Sequence, residues 1–304
     1  MIKLANTDLT IYPLCLGGNV FGYSADKESS EAVLNFYAEN GGNFIDTADM
    51  YSQWAPGHIG GESETIIGNW MKKRGNRSQM VIATKVGKLD TKPGLKASNI
   101  ISACEDSLKR LGSDYIDIYY SHQDDLDTPI EQTLGAYDSL IKSGKVRYIA
   151  ASNFTHERLQ ESLDISKELN LASYIASQDQ YNLMEREYES TLRDTLEKNN
   201  LSQIPFYGLA RGFLTGKYRP GASVESVRAT GVSNAYGNER GWRMLEKLDQ
   251  IAKERNTSIA SISLAWLRAQ RTVAAPIASA TKLEQIKEIM PIIELNKEEL
   301  ALLS

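Results

Sequence analysis

A chain of 304 residues, 41% apolar and 24% charged, has the make-up of a folded protein and enough length to bury a sizeable core. A net charge of −5 gives no electrostatic reason for a nucleic-acid or anionic-membrane partner, and two cysteines, Cys15 and Cys104, are too few for a disulfide framework, so both are expected in the core of a protein kept reduced. No apolar run reaches membrane-spanning length and no secretory h-region opens the chain, so the cytoplasm follows by elimination, while His58, His122 and His156 stand too far apart in sequence to suggest a metal site.

In chain order, residues 1–12 predict a short hairpin and Leu14 to Gly17 a first core strand, after which Gly18 lets the backbone turn closely. Ala32, Val33, Phe36 and Tyr37 at helical spacing predict a helix over Ser29 to Glu39. The next stretch, Asn43 to Tyr51, is the one around which the chain is organised: Phe44 and Ile45 predict a buried strand, Asp46 stands where the apolar run stops, and Tyr51 follows five residues on. A helix from Glu62 to Lys73 leads to an apolar run ending on Lys85. A third helical face, Ile101, Cys104, Leu108 and Leu111, stops at Gly112 and leads to a strand ending on His122.

Ile130, Leu134, Tyr137 and Ile141 mark the fourth helix, Val146 to Ala151 a strand closing on Ser152 and Asn153, and Thr155 the N-cap of a helix to about Leu169. Tyr174 to Ser177 then leads as a strand to Gln178. A helix near Tyr188 to Lys198 precedes a strand over Ile204 to Tyr207. A long insertion from Arg211 to Arg240, helices over Gly241 to Glu254 and Ile259 to Arg268, and a last strand over Val273 to Ile277 complete the order.

The polar strand ends recur 26 to 39 residues apart, the length of βα units. Without an early GxGxxG, a doubly wound sheet is the lesser alternative, and the expectation is one α/β domain over residues 1–304, a closed (β/α)8 TIM barrel. Such a barrel puts the strand ends on one face and brings Asp46, Tyr51, Lys85 and His122 into one site. A phenol with a reference pKa of about 10 is a weak acid at neutrality. An ammonium beside it eases proton donation, a carboxylate holds the ammonium in place, and an imidazole orients a carbonyl oxygen. What the set lacks is an electron donor.

These stretches resemble the aldo-keto reductase family: Asn43 to Tyr51, Ala83 to Gly87, Tyr120 to His122, Gly144 to Arg147, Ser152 and Asn153, Gly212 to Tyr218, and Ser279 to Lys282. The resemblance runs through nearly the whole chain. It implies reversible NADPH-dependent reduction of aldehydes or ketones to alcohols, with NADH as a weaker alternative and a small carbonyl compound as substrate. Oligomeric state is left open. Tyr51 is implied as general acid, with Asp46, Lys85 and His122 completing a tetrad. Ser152, Asn153 and Gln178 fall where the family holds the nicotinamide amide, and Phe206 where an aromatic stacks on the ring. Leu209, Ala210, Arg211 and Lys217 resemble the segment that wraps the pyrophosphate, Tyr207 and Gly208 are implied as cofactor contacts beneath the ring, and Arg228 further along the insertion is, with Lys282, a candidate for the adenosine 2′-phosphate. Ser279, Thr281, Lys282, Gln285 and Glu288 match the adenosine end, and Gly18 and Asn19 lie where the first loop meets cofactor.

Departures from the family pattern are Tyr207 and Gly208 in place of Ser-Pro, Ile289 where many relatives have Asn, and Gln123, Asp124 and Asp125 after His122. Two competing readings stand beside the reductase: a redox-sensing regulatory subunit of the same fold, and a Schiff-base aldolase built on Lys85, against which a nearby Asp46 favouring the ammonium argues.

Overall fold

The computed structural model describes residues 1–221, 224 and 229–304. Its centre is a curled sheet of eight parallel strands: β1 (Cys15–Gly17), β2 (Phe44–Asp46), β3 (Val81–Val86), β4 (Ile116–Ser121), β5 (Val146–Ser152), β6 (Tyr174–Gln178), β7 (Ser202–Gln203) and β8 (Ile277–Ala278). Each strand from β1 to β6 pairs with the next in sequence, and β8 pairs with β1. The ring closes between β7 and the residues leading into β8: Gln203 bridges Val273, the Gln203 N–H donates to Thr272 O at 2.8 Å, and the Ile277 N–H donates to Pro205 O at 2.8 Å. The fold is a (β/α)8 barrel with helices outside.

Alternation along the strands sorts the apolar residues into two layers. Phe44, Ala83, Ile118, Tyr120, Ala150 and Ala176 fill the barrel interior, while Ile45, Ile82, Tyr119, Ile149 and Ala151 pack outward against the helices. The N-terminal hairpin, Ile2–Lys3 paired with Thr10–Ile11, contributes Leu4, Leu9 and Ile11 to the interior cluster. It also bonds to the chain near the starts of β5 and β7, through Asp8 N–H to the Tyr148 hydroxyl and Ala5 N–H to Ser202 Oγ. That plugs the N-terminal end of the barrel and leaves the C-terminal end for the site. Cys15 and Cys104 are buried free thiols.

Capping residues and a glycine stop set the helix ends, and the first helix begins two residues before the expected Ser29. Asp26 caps α1 (Lys27–Glu39), Thr155 caps α5 (His156–Leu169), and Gly112 in the left-handed region stops α3 (Ala97–Leu111). α2 (Glu62–Arg74) and α4 (Ile130–Lys142) complete the first five βα units.

Differences from the sequence reading concentrate in the last third. The helix expected near Tyr188 is a 3-10 turn, Glu187–Glu189, followed by α6 (Leu192–Lys198). The strands expected over Ile204 to Tyr207 and Val273 to Ile277 are shorter or shifted, because Pro205 and Pro276 carry no N–H for a ladder; Phe206 and Val273 keep single bridges instead. Between β7 and β8 lie α7 (Ala229–Tyr236), α8 (Glu239–Arg255) and α9 (Ile259–Arg268), and after β8 come α10 (Leu283–Ile289) and α11 (Lys297–Leu303). A small hairpin after β3, Lys88–Leu89 with Lys92–Pro93, and the last helix, α11, were not anticipated. No helix among the described residues is long and apolar enough to cross a membrane.

Candidate active site

Register builds the centre of the site. Asp46 at the end of β2 pairs with Ala83 of β3, so Lys85, two residues further along β3, points to the same inner side. The Lys85 ammonium then spends all three of its donors: on Asp46 Oδ2 at 2.6 Å, on Thr47 O at 2.8 Å and on the Tyr51 hydroxyl at 2.8 Å. Tyr51 in turn donates to Asp46 Oδ2 at 3.2 Å, and Gln178 Nε2 at the end of β6 donates to Asp46 Oδ1 at 2.9 Å. The His122 ring stands edge-on to the Tyr51 ring, with centroids 6.0 Å apart at 73°. Asp46, Tyr51, Lys85 and His122 therefore meet in one cluster, with the buried ion pair at its base.

Burial sets the charge preferences here. It pulls the Lys85 ammonium below its usual range, opposed by the neighbouring Asp46. Burial also pushes Tyr51 well above the usual phenol range, and Asp46 adds to that push. The easing of proton donation expected from Lys85 is thus outweighed in the free site, and the phenol is held protonated. Burial, with the charges of Lys85 and Lys88, drives His122 well below its ordinary value, so the imidazole is neutral and its N–H is a donor. Its Nδ1 is buried without a partner.

Behind the cluster lies a second acidic layer that the sequence reading missed. The carboxyl of Asp49 is buried with no hydrogen-bond partner; burial and the charge of Glu64, opposed by Arg110, raise it to about 8. Glu64 accepts from Thr84 Oγ1 and from Arg110 Nε, each at 2.6 Å. Arg110 reaches it across Gly61, whose φ of 86° and missing side chain leave room for the guanidinium.

The rim holds most of the other predicted residues in local groups. Asn19 Oδ1 accepts from Ser279 Oγ at 2.6 Å, tying the end of β1 to the residue after β8, and Gly18 has backbone close by: a Cβ there would stand 2.8 Å from Ser63 Oγ and 3.0 Å from Asp46 O. Ser152 Oγ donates to Gln178 O at 2.8 Å, and Asn153, at φ 58°, donates its amide to His122 O and Ser152 Oγ. Its backbone N–H donates to Asp179 Oδ1 at 3.2 Å, and burial raises that acid to about 6.

Phe206 lies against Tyr207 at 5.1 Å, and Arg211 sits over the Tyr207 ring at 4.8 Å. Tyr207, Ala210 and Arg211 all have positive φ, and with Gly208, Leu209 and Gly212 they make a tightly coiled loop that carries Arg211 and Lys217. At the far end, Gln285 accepts from the N–H and hydroxyl of Thr281, and Lys282 is the N-cap residue of α10 without a side-chain cap. Glu288 is tied in through its backbone carbonyl, which accepts from Ser261 Oγ. Arg228 lies outside the described residues.

The aldo/keto reductase family pattern matches residues 13–304. The chain belongs to that family. Among relatives, this aldo/keto reductase is 31% identical to the oxidoreductase YrpG of Bacillus subtilis, over 99% of the chain and 94% of the relative. It is 32% identical to the L-glyceraldehyde 3-phosphate reductase of Escherichia coli, over 88% and 80%. It is also 30% identical to a probable voltage-gated potassium channel subunit beta of Oryza sativa, over 96% and 90%.

Three contributors escaped the sequence reading of this reductase. Thr47 acts through a backbone carbonyl, which no residue type announces. Asp179 sits directly after Gln178 at a strand end, a signal of the same kind as Asp46. Asp49 lies inside the most heavily read stretch, but the influence of the Glu64 charge on it is visible only in space.

Proposed function

We propose that this aldo/keto reductase reduces an aldehyde or ketone to an alcohol with NADPH, with Tyr51 as proton donor. The observation that carries the reading is the Tyr51 hydroxyl held between Lys85 Nζ at 2.8 Å and Asp46 Oδ2 at 3.2 Å, beside a neutral imidazole. When bound, the reduced nicotinamide supplies the hydride that adds to the carbonyl carbon. His122 orients the carbonyl oxygen through its N–H. As charge develops on that oxygen, the Tyr51 proton moves to it, and the phenolate left behind faces the Lys85 ammonium, which Asp46 and Thr47 O keep in place. An amine with all three hydrogens donated has no lone pair to attack a carbonyl, which argues against the aldolase alternative.

The residues present suit a dinucleotide. Ser152, Asn153 and Gln178 offer hydroxyl and amide groups that match a carboxamide, Phe206 offers a partly open aromatic face, and the coiled loop from Tyr207 to Lys217 offers cations for phosphates. Lys282 is the candidate for the adenosine 2′-phosphate, together with Arg228. One charge-assisted contact gives roughly a ten- to hundredfold preference for NADPH over NADH. The test is kcat/KM for both cofactors with a panel of aldehydes and ketones, in the wild type and in Lys282→Ala. Equal use of both cofactors by the wild type, or selectivity unchanged in the variant, overturns the assignment.

The match to the potassium channel β subunits favours a second reading, a redox-sensing subunit with slow turnover, within the same single-domain barrel. Multiple turnovers on any carbonyl of the panel decide for the reductase; one turnover with cofactor retained decides for the sensor.

A further inference from the structure

Lys88 begins the small hairpin three residues after Lys85, and that hairpin is pinned to the loop that carries Tyr51. Gln53 Nε2 donates to Lys88 O at 3.5 Å and to Asp90 Oδ1 at 3.3 Å, and Gln53 Oε1 accepts from the Asp90 N–H at 3.2 Å. The Lys88 side chain is half-buried, and among the described residues its ammonium makes no hydrogen bond or ion pair. Lys92, on the same hairpin, is committed to Asp106, and elsewhere Arg110 pairs with Glu64 and Arg158 with Asp124. The acids are committed as well. Asp46 holds the catalytic cluster, Asp90 meets Gln53, Asp124 meets Arg158, and Asp125 accepts from the Leu95 N–H and from Thr128.

The charges that Lys88 feels and influences belong to the site itself. Burial and the Lys85 charge lower its own pKa, and its charge bears on His122. A half-buried cation whose charged neighbour is another cation is unfavourable until an anion arrives. Beside it, Trp54 and Tyr23 stand partly exposed and edge-to-face at 5.9 Å, with Trp54 6.1 Å from the Tyr51 ring. They add partly exposed aromatic surface on the Trp54 side of the Tyr51 ring.

We infer that Lys88 is the anion-binding end of the substrate pocket, so that the carbonyl compound reduced at Tyr51 carries a carboxylate or phosphate group a few bonds from its carbonyl. This rests on the reductase reading above. The uncharged middle of such a substrate lies along Trp54 and Tyr23, and its anion replaces the counter-charge that Lys88 lacks among the described residues.

The experiment compares kcat/KM for succinic semialdehyde, glycolaldehyde phosphate and butanal in the wild type, Lys88→Met and Lys92→Met. The wild type favours one of the two anionic aldehydes over butanal by about tenfold or more, the scale of a charge-assisted contact. Lys88→Met removes that ratio and Lys92→Met keeps it. The aldehyde with the larger Lys88-dependent gain tells carboxylate from phosphate. An anion-to-neutral ratio near one in the wild type, or one that survives Lys88→Met, overturns the inference while turnover of butanal leaves the reductase reading intact.

A calorimetric titration of succinate and of inorganic phosphate into the NADP+-saturated protein separates the two claims from the other side. Anion binding that Lys88→Met abolishes, in a protein that turns over no member of the wider aldehyde and ketone panel, sinks the reductase reading and supports the anion site. Absence of binding by both anions, with butanal reduced and the aldehyde ratios flat, sinks the anion site alone.

Discussion

Asp46 and Asp49 lie three residues apart on one stretch, each 1% exposed, and their surroundings differ completely. Asp46 accepts from an ammonium, a phenol and an amide; Asp49 has no side-chain donor aimed at it, and burial together with the Glu64 charge raises it to about 8. Burial alone therefore does not decide what a carboxylate does in this barrel. The donors aimed at it do. Asp46 is equipped to hold Lys85 in place, and Asp49, protonated at neutral pH, is a neutral group whose ionisation the fold resists.

The sharpest way to break the comparison is to give Asp46 the isolation of Asp49. Lys85→Met leaves Asp46 buried without its cation, and removal of one partner of a buried pair costs about 3–5 kcal/mol of stability. Carbonyl reduction falls at least hundredfold. Adding Asp46→Asn restores much of the stability, because the stranded charge is gone, and restores none of the activity. Urea unfolding and steady-state rates on the single and double variants measure both effects. A double variant no more stable than Lys85→Met would show that the two side chains are not energetically coupled.

The smaller effect belongs to Asp49. Its folded pKa of about 8 lies above the unfolded value of 3.8, so the folded state binds the extra proton between those values and stability declines as pH rises through that window. Asp49→Asn removes the linkage. Between pH 5 and 9, conditions set by these reference values, the wild type loses on the order of a few kcal/mol relative to the variant. Thermal melts across that range check it, and parallel curves for the two proteins would mean that Asp49 stays ionised throughout.

The barrel was legible because its signals are local and repeated. Apolar runs ending on Asp46, Lys85, His122 and Gln178 mark strand ends, and Gly112 and Thr155 mark helix ends, each readable within a few residues. The last third was less so. Pro205 and Pro276 break ladders that the apolar pattern extends, and closure of the ring depends on Gln203 meeting Val273, a pairing no window of sequence contains. In the site the same division holds. Side-chain types at strand ends announced the cluster, whereas the carbonyl of Thr47, the charge of Glu64 acting on Asp49 and the isolation of Lys88 are properties of space alone.

The most direct test of the account is Tyr51→Phe, which removes one hydroxyl from a ring that otherwise stays packed against Trp54 and His122. NADPH oxidation is followed with the best aldehyde of the panel, and NADPH binding is followed separately by fluorescence. With Tyr51 as the proton donor, kcat falls by roughly 10² to 10⁴ while NADPH affinity changes little. A variant that reduces the aldehyde at the wild-type rate would contradict the mechanism.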